Sequence, residues 1–83
     1  MKKAQILVVE DEGIIALDLQ NRLQRLGYSV PVTVATGEEA VQKAAEIRPD
    51  LVLMNTRLWG EMNDIDKQEL YAIIKKVLNQ DGA

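Results

Sequence analysis

The sequence predicts an α/β protein built on a parallel sheet, and three observations carry that prediction. Ile6 to Val9 and Leu51 to Met54 are apolar at every position, as strands covered on both faces are. Each run ends abruptly in polar residues, Glu10-Asp11-Glu12 after the first and Asn55 after the second, so both strand ends open at a polar surface. Between and after these runs lie stretches of helical periodicity, and strand alternating with helix means parallel pairing through right-handed crossovers.

Taken in order, Ile6 to Glu12 is a central strand leading into its acidic cluster, and Gly13 then releases the backbone into a helix. That helix carries Ile15, Leu19, Leu23 and Leu26 on one face, and Gly27 stops it as a C-cap. Val30, Val32 and Val34 next alternate with Ser29, Pro31 and Thr33, which reads as a strand with one buried face. Pro31 has no N–H for a ladder and places this strand at an edge. Thr36 and Glu39 have the spacing of a capping box, opening a helix to about Ile47 with a narrow stripe of Ala40, Val41, Ala44 and Ala45. Arg48-Pro49-Asp50 ends it before the second core strand.

Thr56 to Asp64 reads as a loop containing Gly60 and the lone tryptophan, Trp59. Asp66 with Glu69 then repeats a cap signal, and Leu70, Ile73, Ile74, Val77 and Leu78 make an amphipathic helix over 66–79, expected beside the first helix with Lys67, Lys75 and Lys76 on its solvated face. The expected fold is therefore a three-stranded parallel sheet of order 2-1-3 with three helices (βαβαβα) in one domain spanning 1–83. Going from the first strand out to the second and back past it to the third puts the first two helices on opposite faces. The crevice between the ends of strands 1 and 3 is then a topological switch point, where open α/β sheets bind ligands. Glu10, Asp11 and Asn55 line it.

Composition narrows the chemistry. A chain of 83 residues buries only about 60–65% of the surface it exposes when unfolded, so its stability margin is small. It has no cysteine and no histidine, which removes disulfides, thiolate metal sites and the usual general base. A net charge of −3 gives neither nucleic acid nor an anionic membrane a basic patch to bind. No apolar run reaches ~18 residues and Met1-Lys2-Lys3 leads into a strand, so a soluble cytoplasmic protein that is not an enzyme is expected.

Three stretches resemble the receiver domain of two-component response regulators, a flavodoxin-like fold. They are Ile-Leu-Val-Val-Glu-Asp-Glu at 6–12, Ala-Thr-Gly-Glu-Glu-Ala at 35–40 and Arg-Pro-Asp-Leu-Val-Leu-Met-Asn-Thr-Arg-Leu at 48–58, in the family's order and spacing. The resemblance covers 3–58 and, less closely, 66–79. It implies a phosphorelay role in which a histidine kinase donates a phosphoryl group to an aspartate ending the third strand. It also implies magnesium held by that aspartate, by the acidic pair after the first strand and by a backbone carbonyl two residues past the acceptor. Carried over, the pair is Glu10 and Asp11, the acceptor position is Asn55, and the carbonyl belongs to Arg57.

Two departures set this chain apart from the family's chemistry. Asn55 is a neutral amide that cannot form an acyl phosphate, so the phosphoacceptor position is inactive and no catalytic residue is expected. The family's five strands, its threonine or serine after the fourth and its lysine after the fifth do not fit in this length. The helix at 66–79 resembles the family's last helix, as if a receiver had lost the segment between its third strand and that helix. No cofactor is then required, and Glu10, Asp11, Asn55 and the Arg57 carbonyl form at most a weak or vestigial Mg2+ site.

The reading is a phosphorylation-incompetent receiver-like module that self-associates or docks a histidine kinase or other signalling protein. The alternatives are a residual magnesium-binding switch and an engineered minimal receiver with no biological activity. With no fourth strand, Leu51, Val52, Leu53 and Met54 leave an apolar unblocked edge, which predicts a homodimer through strand 3. Trp59 would pack near that join, or else fold back over the end of the sheet.

Overall fold

The computed structural model describes residues 3–73 and 77–80. Its sheet has the expected parallel 2-1-3 order and adds one strand, giving β2-β1-β3-β4. β1 (Ile6–Val9) is central and pairs with β3 (Leu51–Asn55) from Ile6 opposite Leu51 to Val9 opposite Met54. β2 is only Thr33–Val34, opposite Val8 and Val9, with an isolated bridge from Gln5 to Ser29 upstream. β4 (Val77–Gln80) lies along the far side of β3, Val52 opposite Val77 and Asn55 opposite Gln80.

The helices are α1 (Gly13–Arg25), α2 (Gly37–Ile47), α3 (Thr56–Glu61) and α4 (Asp64–Ile73). Gly27 closes α1 at φ +96, where a side chain would be strained, and there Gly27 N–H donates to the Gln24 carbonyl at 3.0 Å and Tyr28 N–H to that of Leu23 at 3.1 Å. This crossed pair is a Schellman motif. Half of the capping box is present: Glu39 N–H donates to Thr36 Oγ1 at 3.1 Å, while the Glu39 carboxylate accepts not from the cap's own N–H but from that of Ala35 before it, at 3.3 Å.

The pleat of β1 and β3 sends alternate residues to two cores. Leu7, Val9, Val52 and Met54 meet Ala40, Ala44, Leu58 and Leu70 on the α2 side. Ile6 and Val8 meet Val30 on the α1 side, with Leu19, Leu23, Leu51 and Leu53 packed around them. Ala40 and Ala44 are fully buried because small side chains let α2 approach the sheet closely, whereas Ala45 is exposed. The three valines expected on one face divide between the two cores, Val30 on the α1 side and Val32 and Val34 on the α2 side, because Pro31 interrupts the regular pleat.

Four expectations are corrected. The helix over 66–79 instead starts at Asp64 and ends at Ile73, and Val77–Gln80 is a strand; Ile74, Lys75 and Lys76 lie outside the described residues. Short apolar runs rich in isoleucine and valine suit either state, and the vacant flank of β3 favours the strand. Second, α4 packs beside α2, not α1, as the crossover between β3 and β4. Third, Thr56–Glu61 is helical, not a loop. Fourth, β4 occupies the flank of β3 that was expected to be free, which removes the basis for a homodimer through that edge. Val52 and Met54 are accordingly fully buried inside the chain.

Candidate site at the carboxyl ends of β1 and β3

Parallel pairing in register brings the end of β1 beside the end of β3, and the side chains of Glu10 and Asn55 meet there. Glu10 is 5% exposed, a low value for a carboxylate. Its two oxygens are both supplied with donors: Asn55 Nδ2 donates to Oε1 at 3.2 Å and Glu12 N–H to Oε2 at 3.1 Å. Asn55 also caps α3, its Oδ1 accepting from Arg57 N–H at 2.8 Å. One amide thus spends its donor on the acid and its acceptor on the following helix.

Asp11 points outward, and Arg57 reaches back to it, Nη2 to Oδ2 at 2.5 Å. The same guanidinium holds Glu61 one turn further along α3, Nη1 lying 3.3 and 3.2 Å from the two carboxylate oxygens. The hydrogen bond from Arg57, followed by one with Glu10, holds the Asp11 carboxyl below its ordinary value of 3.8, and the Asp11 contact raises Arg57. A depressed carboxyl stabilises the fold at pH above its unfolded value and loses that contribution as pH falls through the folded one. Both side chains are solvated, so the contribution is small and screened by salt.

The structure brings Glu10, Asp11, Asn55 and Arg57 together, and it is the Arg57 side chain that makes the contact with Asp11. Nothing in the sequence pattern singled that side chain out; a cation two residues past a strand end facing three carboxylates was the available signal. Trp59 sits on α3 with its ring edge-on to Tyr71 at 5.2 Å and the Lys67 ammonium 5.4 Å from its centroid. It packs against the α2-side core, pinning α3 to α4.

A hard dication needs several oxygens free to turn towards it. Here the three candidate side chains are already committed to internal donors, and the guanidinium of Arg57, whose backbone carbonyl is the fourth candidate, stands on Asp11. Among the described residues no group of three or more acidic, histidine or cysteine side chains could hold a metal. The residues as arranged do not fit magnesium.

No protein-family model matches the chain. The chemotaxis protein CheY of Thermotoga maritima is 36% identical over 62 residues, covering 75% of this chain and 51% of that protein. The signal receiver domain of a modulated diguanylate cyclase from Desulfovibrio desulfuricans superposes with a TM-score of 0.71 at 33% identity, covering 94% of this chain and 67% of that one. The chain belongs to the receiver-domain family of two-component response regulators. The transcriptional regulatory protein PhoP of Bacillus subtilis, governing alkaline phosphatase synthesis, is another similar protein, 46% identical over 54 residues. This receiver spans about half the length of CheY and 22% of PhoP. Among its described residues no helix is long and apolar enough to cross a membrane.

Proposed function

We propose that this receiver is a cytoplasmic signalling module that neither accepts a phosphoryl group nor catalyses a reaction, and acts by contact with a second copy or with a histidine kinase or other signalling protein. The observation that carries the reading is Asn55, at the acceptor position with both ends of its amide engaged by Glu10 and Arg57. An amide there offers phosphorus no nucleophilic oxygen, and it is also tied into the fold. No cofactor is required for such a role. Incubation with acetyl phosphate and magnesium is expected to leave the intact mass unchanged. A stable gain of one phosphoryl mass would overturn the reading.

Contact, on this reading, uses the face on the α1 side. Gln20 Nε2 donates to the Val30 carbonyl at 2.9 Å, which turns that flank of α1 towards β2. With 100° between successive residues, Ile15, Leu19 and Leu26 fall on the opposite flank, towards β3. Ile15 is 39% and Leu26 72% exposed, and Leu51 and Leu53 on the same side of the sheet are only half-buried. Association through the β3 edge would require β4 to leave, whereas this face is open as it stands. Light scattering at tens of micromolar is expected to show a mass above that of the monomer, reduced by Leu26→Glu. A monomer under both conditions would remove self-association and leave docking to another protein.

A further inference from the structure

The feature the proposed function does not use is the Arg57 side chain. Its guanidinium lies between two carboxylates, Asp11 on the loop after β1 and Glu61 on its own helix. Glu61 is one helical turn away, so it steadies the guanidinium from behind while Asp11 receives it in front. Asp11 is the outward member of the acidic pair, the oxygen donor that a dication approaching from solvent would meet first. Glu10, the inward member, has both oxygens supplied by neutral donors and needs no counter-ion.

We propose that Arg57 is the resident cation of this site: its guanidinium neutralises Asp11 and thereby excludes a divalent ion from the native chain. Two physical effects act together. Asp11 must give up a charge-assisted hydrogen bond before it can ligate, and any dication within reach of it also sits beside a fixed positive charge. The pair is solvent-exposed, with side-chain exposures of 55% for Arg57 and 36% for Asp11, so the exclusion is a competition and not a steric block. Removing the guanidinium should therefore free the Asp11 carboxylate and lift the fixed positive charge, leaving a dication only the neutral donors on Glu10 to displace. Exclusion of this kind operates in a monomer and in an assembly alike.

The test is calorimetric titration of the full chain with magnesium chloride, alongside thermal melts in the same salt, for the native protein and the variants Arg57→Gln, Arg57→Lys and Arg22→Gln. Arg22 forms an exposed ion pair with Asp18 on α1, so its loss changes net charge equally but far along the helix from the acidic pair. The native protein and Arg22→Gln are expected to give no binding heat up to about 10 mM, a range in which weak oxygen-ligand sites fill. Arg57→Gln is expected to bind at least about tenfold more tightly than the native chain, the order set by removing one adjacent like charge. A further Asp11→Asn change should abolish the gain. If circular dichroism shows that the glutamine variant has lost its fold, Arg57→Lys decides, since its shorter, flexible ammonium lacks the planar fork that holds Asp11 and Glu61 together and should give a smaller gain in the same direction. Equal affinity in the native and Arg57 variants, or a gain matched by Arg22→Gln, would overturn the proposal.

Discussion

Leu70→Ala is expected to lower the free energy of unfolding by about 2–5 kcal/mol, the range for deleting a fully buried leucine. Leu70 has no solvent exposure and sits among Ala40, Ala44, Val52 and Met54, where α4 meets both α2 and the sheet. The alanines opposite it are already the smallest side chains that can line the contact, so the surroundings have little to move into the space. In a domain whose whole stability is about 5–10 kcal/mol, the loss should shift the urea midpoint by a large fraction. Ile65→Ala, on the same helix but 69% exposed, is the matched control and should change stability by less than about 0.5 kcal/mol. Equal midpoints for Leu70→Ala and the native protein would show that α4 does not dock as described.

The second large effect is expected at the strand ends. Asn55→Asp puts a carboxyl at the proposed acceptor position and in the same step replaces the donor that satisfies Glu10 with a second acid at hydrogen-bond distance. In metal-free buffer the variant should lose about 1–3 kcal/mol, the cost of leaving a part-buried polar group without its partner. The deficit should shrink as pH falls, because one proton shared by the two carboxyls removes their repulsion. Magnesium should recover part of it, since three carboxylates attract a dication more strongly than two do, even with Arg57 present. A variant as stable as the native chain in metal-free buffer at neutral pH would show that the amide is not what keeps Glu10 satisfied.

How far the fold is legible in the sequence varies along the chain for identifiable reasons. β1, α1, α2 and β3 are legible because each has a strong pattern and a clear stop: two wholly apolar runs, Gly27 after α1, Thr36 and Glu39 before α2. α3 is not, since six residues that include Gly60 show no period; the sign available is Asn55, a good N-cap residue whose place in the site masks its second role. The start of α4 is misplaced because Asp66 with Glu69 imitates a cap. The residue that fills that role is Asn63, whose Oδ1 accepts from Asp66 N–H at 2.7 Å.

The stretch after Ile73 misleads differently. Val77 and Leu78 continue the helical spacing of Leu70 and Ile73, and only the open flank of β3, a tertiary fact, selects the strand. In the site, the acidic pair and Asn55 are legible from position alone. The Arg57 side chain is not, because its role depends on the register of β1 against β3, which places its helix within reach of Asp11.

The central position of β1 also bears on how the chain assembles. The first strand of this sheet to be synthesised is an interior one, flanked by β2 and by β3, and every pairing in the sheet is parallel. No neighbouring hairpin can nucleate it: Ile6 gains its β3 partner only when Leu51 has been made, and until then that edge of an apolar strand waits unpaired beside α1. Sheets closed by such distant contacts fold slowly and leave sticky intermediates. The nascent chain is thus most exposed to aggregation before β3 emerges, when α1 with its Schellman stop and α2 with its Thr36 cap are the elements that can form early and locally.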